Sequence, residues 1–182
     1  MIINFLGNSC FKLKIGTVLV LTDPAPQISK LEADIVTISA KDSEQIDMSR
    51  VKNDPFVINE PGEYEIKDVS VLAYFFANKN IFVFQAEDLR IAHLVDLSTD
   101  LTQDQIEELD GIDILLVDVK QNVKLINQIE PAIVIPMGYT SEAGLNDFIK
   151  NFGKEEETLD KLTVTKASLP LESKLIVLQR KS

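Results

Sequence analysis

The chain has 182 residues, of which 45% are hydrophobic, and its formal net charge is −11 at pH 7. This length predicts one domain spanning residues 1–182, with enough apolar residues for a sizeable core. Nucleic acids and anionic membranes are bound by clustered Lys and Arg, so the acidic charge argues against both as partners. The basic residues are scattered, and Lys12, Lys14 and the pair Arg180-Lys181 come nearest to clusters.

The chain contains one cysteine, Cys10, and one histidine, His93. A lone cysteine excludes an internal disulfide and cannot by itself hold a structural zinc ion. We interpret Cys10, next to Phe11, as a small buried hydrophobe, and cytoplasmic localisation is the default prediction. Hydrolytic sites with two metal ions usually draw on several imidazoles, and one histidine cannot build such a site.

The first half of the chain predicts short β-strands separated by turns. Asp23-Pro24 ends the first run, because proline cannot continue a hydrogen-bonded ladder. Turns at 78–80 and 87–88 predict that the last three strands form a meander. The predicted strands are 2–6, 10–15, 18–21, 33–39, 56–59, 62–66, 69–76, 81–85 and 89–94.

The second half of the chain changes to a mixed pattern of strands and helices. Thr102 with Gln105 predicts a capping box at the start of a helix that ends near Gly111. Apolar residues spaced by three and four predict an amphipathic helix over 141–152, and the acidic run 155–157 is interpreted as a solvated linker. A further helix is predicted at 121–129, and strands at 112–117, 132–135, 162–165 and 174–178. This order fits two central sheets with helices outside.

Five short motifs occur in a characteristic order along residues 2–178. Together they resemble the metallo-β-lactamase superfamily, and most closely its ascorbate-6-phosphate lactonase-like branch. The resemblance implies an α/β (α+β) fold, the four-layer αββα sandwich, and metal-assisted hydrolysis, in which a metal ion activates water. The motifs are L-G-N-S-C-F at 6–11, T-D-P at 22–24, A-D-I-V-T-I-S-A-K-D-S-E-Q at 33–45, P-G-E-Y-E-I at 61–66 and I-P-M-G-Y at 135–139.

The positions that hold metal in the family are mostly changed in this chain. The family's strand ends in S-H-x-H-x-D-H, and its motifs place further histidines at the positions of Asn8 and Gly138. After the strand, Ala40, Asp42, Glu44 and Gln45 stand where the resemblance places His, His, Asp and His. Of these residues, Asp42 and Glu44 could still coordinate a hard cation through oxygen. The resemblance therefore predicts a metal centre that is largely dismantled.

Two aspartates remain at family positions. The segment I-A-H-L-V-D at 91–96 resembles one whose aspartate bridges two metal ions, which places Asp96 at a retained ligand position. Asp23 matches the aspartate of T-D-P. We interpret both as residues that cap loops or bind backbone amides, and His93 as a hydrogen-bonded structural residue. A Ser-His-Asp arrangement of Ser9 or Ser39 with His93 and Asp96 is the alternative, although no G-x-S-x-G elbow is present.

The motif at 61–66 brings two carboxylates to one side of a predicted strand. Glu63 and Glu65 alternate with Tyr64, so both carboxylates share a face and could line a cleft. We prefer a structural interpretation, with Tyr64 packed beneath the segment. Met137 and Tyr139 are likewise interpreted as core or pocket wall.

These observations favour a non-catalytic binding or assembly protein with the metallo-β-lactamase fold. No catalytic residue and no cofactor are predicted, and the ligand is unknown. The alternative is a hydrolase with one divalent ion, Zn or Mn, for which Asp96, Asp42, Glu44 and His93 are weak candidate ligands. A third interpretation is a structural subunit, either in a homo-oligomer or paired with an active paralogue.

Overall fold

A computed structural model describes residues 1–40, 44–97, 99–154 and 156–181. Within these ranges the strands form two sheets, one of six strands and one of eight. The six-stranded sheet is antiparallel from its first member through β3 and parallel from β3 to β5. Its order is β13 (Leu162–Thr163), β1 (Ile2–Gly7), β2 (Cys10–Ile15), β3 (Val18–Thr22), β4 (Ile35–Thr37) and β5 (Phe56–Ile58).

The eight-stranded sheet combines an antiparallel meander with a parallel half. The predicted meander is confirmed, and it includes one strand more than the three expected. The meander consists of β6 (Gly62–Ile66), β7 (Val69–Phe76), β8 (Lys79–Ala86) and β9 (Leu89–Leu94). Next to β9 lie, in order, β10 (Ile114–Asp118), β11 (Ile133–Met137), β14 (Lys174–Leu178) and β12 (Glu156–Leu159), all parallel.

Three described α-helices pack on one outer face of this arrangement: α1 (Gln103–Glu107), α2 (Val123–Ile129) and α3 (Glu142–Phe152). Phe148 and Ile126 from these helices join a core cluster with the outward residues of the eight-stranded sheet, such as Leu115. A second cluster fills the space between the two sheets and includes Phe11 and Phe82. The alternation of side chains along each strand thus places apolar residues on both faces of the eight-stranded sheet.

The outer face of the six-stranded sheet is covered differently. Cys10, Leu21 and Val36 pack there against apolar residues from segments 25–33 and 46–51, which contain one short 3-10 turn, Met48–Arg50. The mixed α/β sandwich with two central sheets is confirmed, and in the described part of the chain this covering layer is loop. None of the described helices has the length and apolarity that crossing a membrane requires.

The capping box predicted at the start of the first helix is confirmed. Thr102 accepts a hydrogen bond from the Gln105 amide while the Gln105 side chain accepts one from the Thr102 amide, which completes the capping box. Ser141 caps α3 in the same manner, by accepting from the amide of Gly144. Helix α1 ends at Glu107, earlier than expected, and turns fill the interval before Gly111.

The interpretation of 155–157 as a solvated linker is wrong, because Glu156–Leu159 forms β12, parallel to β14. An edge strand tolerates charged residues, since one of its sides remains open to solvent. Glu157 also forms an ion pair with Lys174 of the neighbouring strand, at 2.5 Å. Glu155 lies outside the described residues. The strand predicted at 33–39 is shorter in the structure, at Ile35–Thr37.

Candidate functional site

A polar cleft of about 380 Å³ lies where the loops after six strands meet. The loops follow β1, β3, β4, β9, β10 and β11, so the cleft is at the carboxyl ends of the parallel strands of both sheets. Loop clusters of this kind are where α/β proteins place their ligands. Its lining consists of Asn8, Ser9, Asp23, Ser39, Ala40, Gln45, Ile46, Lys79, Val95, Asp96, Asp118, Lys120, Gly138 and Thr140.

An ion pair links two of these lining residues, Asp96 and Lys120. The Lys120 Nζ atom donates to Asp96 Oδ2 at 3.1 Å, and both side chains are partly exposed. The hydrogen bond to Asp96, together with the charges of Asp96 and Asp118, raises the pKa of Lys120. A protonated ammonium group therefore lies against the one carboxylate that the resemblance identified as a retained metal ligand.

Asp118, the last residue of β10, is a buried carboxylate in the same cleft. Its Oδ1 atom accepts a hydrogen bond from the Lys120 amide at 3.0 Å. Burial raises the pKa of Asp118, and the charge of Asp96 raises it further. Sequence reasoning missed both Asp118 and Lys120. The signal was available, because Asp118 is the first charged residue after the apolar run 114–117, at the carboxyl end of a buried strand.

The Asp118 carboxylate lies directly over the backbone of Gly138. A Cβ atom built on Gly138 would overlap this carboxylate, with Asp118 Cγ only 2.5 Å away. Gly138 also has φ +73°, a left-handed conformation that glycine adopts without strain. Two independent features therefore require glycine here, and a histidine cannot be placed at position 138 while Asp118 keeps its position.

Asp23 ties the loops after β3 and β4 together. Its Oδ1 atom accepts a hydrogen bond from the Ser39 amide at 2.7 Å, and its own amide donates to the Thr37 carbonyl at 2.9 Å. The side chain is buried, and its φ of 40° is in the left-handed region. Asp23 thus binds a backbone amide, as interpreted from the sequence. The Asp96 side chain is in contact with Lys120.

His93 is fully buried on β9 and does not line the cleft. Its Nε2 atom lies 2.9 Å from the Ser9 carbonyl, which can only accept, so Nε2 carries the proton. Nδ1 then accepts from the Ser39 hydroxyl, a long contact of 3.5 Å. Burial lowers the pKa of His93. The alternative Ser-His-Asp arrangement is not formed, because a main-chain carbonyl occupies the nitrogen that an aspartate would need.

The remaining predicted residues are dispersed. Glu44 is exposed and does not line the cleft, and Asp42 lies outside the described residues. Glu63 and Glu65 are exposed on β6, the edge strand, so they do not face the cleft. Cys10 is buried, which raises its pKa to about 12. Met137 is buried and Tyr139 packs against Phe5, with ring centroids 5.8 Å apart.

The described residues do not form a metal-binding set. Among residues 1–40, 44–97, 99–154 and 156–181, no three His, Cys, Asp or Glu side chains come together as ligands would. A stable protein site for a divalent ion needs several such donors, and the negative charge of its carboxylates or thiolates offsets the positive charge of the metal. Two lysines, Lys79 and Lys120, line the cleft together with its carboxylates, and Lys120 forms an ion pair with Asp96.

Comparison with known proteins agrees with this fold. The family described as the beta-lactamase superfamily domain matches residues 2–138. This chain belongs to that superfamily. The superfamily consists of metal-dependent hydrolases, and its fold accounts for the two large sheets. A search of curated proteins found no match.

Several solved structures superpose on almost the whole chain. A candidate Zn-dependent hydrolase of the metallo-β-lactamase superfamily from Thermotoga maritima is 29% identical, with a TM-score of 0.83, over 98% of each chain. A metallo hydrolase from the archaeon Ignicoccus hospitalis is 14% identical, with a TM-score of 0.67, over 100% of this chain and 96% of that one. An isothiocyanate hydrolase from Delia radicum gut bacteria, at 11% identity, has a TM-score of 0.68 over 100% and 98%. The last two show the fold alone.

Proposed function

We propose that this member of the superfamily has lost the metal-dependent reaction and uses its cleft to bind a polar ligand. The observation that carries the proposal is the contact between Lys120 Nζ and Asp96 Oδ2, 3.1 Å. An ammonium group in hydrogen-bonding contact with a carboxylate repels a divalent cation at the same oxygen. The chain thus supplies a positive charge of its own at a position where the resemblance implies a metal ligand.

The neighbourhood of Asp96 supports this proposal. Asp118 accepts from the Lys120 amide and excludes any side chain at position 138. Asp23 is engaged with the Ser39 amide, and His93 with the Ser9 carbonyl. Asp96, Asp118, Asp23 and His93 therefore each already have a partner in the protein. We place the chain near the ascorbate-6-phosphate lactonase-like branch, on its motifs at 6–11, 61–66 and 135–139.

The alternative is a hydrolase with a single Zn or Mn ion held by oxygen ligands. One observation favours it: the Asp96 and Lys120 side chains are 45% and 66% exposed, so their ion pair is weak and could open. Asp96 would then need Asp42 and Glu44 as further ligands. The loop that contains both would have to bring the exposed Glu44 into the cleft.

Metal binding and turnover together test the proposal. We expect the purified protein, dialysed after incubation with Zn²⁺ or Mn²⁺, to retain far less than one ion per chain by mass spectrometry. We also expect no hydrolysis of lactone, phosphodiester or β-lactam substrates above background. Lys120→Ala should bind Zn²⁺ more tightly than the wild type, because it removes the competing charge, whereas Lys124→Ala, an exposed lysine that does not line the cleft, should not. One retained ion per chain that disappears in Asp96→Ala, with turnover, would establish the hydrolase instead.

A further inference from the structure

Two aspartates that line the candidate cleft each have one carboxylate oxygen without a partner. Asp23 Oδ1 accepts a hydrogen bond from the Ser39 amide at 2.7 Å, and Asp118 Oδ1 accepts one from the Lys120 amide at 3.0 Å. No residue that the structure describes donates to the Oδ2 atom of either aspartate. Both residues are more than nine-tenths buried, with 3% of Asp23 and 8% of Asp118 exposed.

The two free oxygens open into the cleft. In the described part of the chain, the unpartnered side-chain atoms that are sealed from solvent belong to other residues, so the Oδ2 atoms of Asp23 and Asp118 remain accessible. Both aspartates line the cleft of about 380 Å³. Asp118 Oδ2 is also the atom nearest to where a Cβ atom would lie on Gly138, another lining residue. An ionised carboxylate only accepts hydrogen bonds, so a ligand group that binds here must be a donor.

The two aspartates come from different sheets, so a ligand bound to both would bridge the sheets. Asp23 follows β3 of the six-stranded sheet, and Asp118 is the last residue of β10 in the eight-stranded sheet. The Asp23 amide donates to the Thr37 carbonyl at 2.9 Å, and the amide of Val119, next to Asp118, donates to the Met137 carbonyl at 2.9 Å. Because the main chain already holds both acceptors in place, binding orders few additional groups, which lowers its entropic cost.

The charge of the cleft favours a cationic donor over a neutral one. Within the described ranges its charged lining residues are three aspartates and two lysines, which leaves a formal excess of one negative charge. One of the lysines, Lys120, is already paired with the third aspartate, Asp96. A divalent metal ion does not fit these acceptors, because no three His, Cys, Asp or Glu side chains of the described residues come together. A single ammonium group, in contrast, supplies three donors and one positive charge.

We propose that the cleft binds a small hydroxylated primary amine, whose ammonium group is held by the Oδ2 atoms of Asp23 and Asp118. This assignment rests on the proposed function, because a metal ion in the cleft would compete for the same carboxylates. Charge-assisted hydrogen bonds of this kind are about twice as strong as neutral ones. The hydroxyl groups of the ligand bond to Asn8, Ser9 and Thr140, which line the cleft and whose side chains make no hydrogen bond within the described part of the chain.

Calorimetric titration with glucosamine and with glucose tests the proposal, because these sugars differ only in the ammonium group that replaces one hydroxyl group. Both have a size that a cleft of about 380 Å³ accommodates. The full chain is titrated in the presence of EDTA at about pH 6.5, where an aliphatic amine is mostly protonated. We expect saturable glucosamine binding that is tighter than glucose binding by about tenfold or more. Asp23→Asn and Asp118→Asn should each remove most of this preference, because an amide carries no negative charge.

The matched control is Asp147→Asn, which removes one negative charge from an exposed position of α3 that does not line the cleft. It should leave glucosamine binding unchanged. Asparagine retains an oxygen acceptor and tolerates the left-handed conformation of Asp23, so both cleft variants can keep the contacts made by Oδ1. If one of them does not fold, the other decides.

The proposal is overturned if glucosamine binds no more tightly than glucose, or if Asp147→Asn weakens binding as much as Asp118→Asn does. Its failure can be distinguished from a failure of the proposed function. Absence of glucosamine binding in a chain that retains no Zn²⁺ contradicts this choice of ligand alone, whereas one retained Zn²⁺ ion per chain contradicts the proposed function as well.

Discussion

The carboxylate of Asp118 fills the space that any side chain at position 138 would need. Asp118 ends β10 and Gly138 follows β11, and these two strands are adjacent and parallel, with Asp118 opposite Met137. The close approach therefore follows from the strand register. The resemblance implies a histidine at position 138. Its absence is explained by Asp118, a residue that the sequence analysis did not identify.

The first prediction concerns Gly138→Ala. We expect it to destabilise the protein by about 3 kcal/mol or more, because the left-handed conformation costs about 1–2 kcal/mol and the overlap with Asp118 adds about 1–3 kcal/mol. Gly111→Ala is the matched control, since Gly111 has φ +69° and no atom within 4 Å of an added Cβ. Urea unfolding measures both free energies. Equal losses in the two variants would show that Asp118 does not occupy this space.

The second prediction concerns the pH dependence of stability through Asp118. Its pKa is raised in the folded state, so the stability from its protonated form is present below the unfolded value of 3.8 and is lost as pH rises through the folded value. Asp118→Asn keeps the acceptor for the Lys120 amide and does not ionise. We therefore expect the variant to be more stable than the wild type at neutral pH, and the difference to vanish at low pH.

The pKa of Asp34 is shifted in the opposite direction from the pKa of Asp118. A hydrogen bond from Lys67, and a second one from the Leu19 amide, lower the pKa of Asp34. Its stabilising contribution is present above the unfolded value of 3.8 and is lost as pH falls through the folded value. Asp34→Asn should therefore be less stable than the wild type at neutral pH. Urea unfolding at several pH values measures both variants, and the same sign for both would contradict the environments described for these carboxylates.

The third prediction concerns His93. Burial lowers its pKa, so the folded state disfavours the imidazolium ion, and stability is lost as pH falls below the unfolded value of 6.5. His93→Gln should remove this acid sensitivity and reduce stability at neutral pH by about 1–3 kcal/mol, because it disturbs the contacts with Ser9 and Ser39. Urea unfolding of both proteins at about pH 5 and pH 7.5 measures the acid sensitivity and the loss of stability at neutral pH. An unchanged pH dependence in the variant would assign the sensitivity to other groups.

The fourth prediction concerns the ion pair of Asp96 and Lys120. Both side chains are partly exposed, so a double-mutant cycle with Asp96→Asn and Lys120→Gln should yield a coupling below about 1 kcal/mol. Asp96→Asn alone should change stability little, since it loses this pair but also relieves the repulsion of Asp118. A loss above about 2 kcal/mol would reveal a buried network instead.

The fifth prediction concerns chelation. A metal ion bound only to the native state raises the melting temperature, and its removal lowers it. If the Lys120 ammonium takes the place of a metal ion, EDTA should leave the melting temperature unchanged within about a degree. Lys120→Ala with added Zn²⁺ is the comparison, in which we expect EDTA to lower the melting temperature. A clear drop for the wild type would favour the single-metal hydrolase.

The sequence by itself determined most of the strands and the helix starts, because these depend on local patterns. Alternating apolar residues predicted β2, β6, β7 and β9 to the residue. The capping box of Thr102 marked the start of α1, and the spacing of apolar residues placed α3 within 141–152. The motifs indicated the superfamily. The interpretation of 155–157 as a linker was wrong where β12 begins, since an edge strand with charged residues has the local composition of a linker.

Only the tertiary structure decided the arrangement of the cleft. Lys120 contacts Asp96 from the loop after the adjacent strand, and Asp118 reaches Gly138 across the parallel register, so neither contact is visible as a local spacing. Local propensity follows from neighbouring residues, whereas the charge that a carboxylate faces depends on which strands pair, and the whole chain determines that pairing.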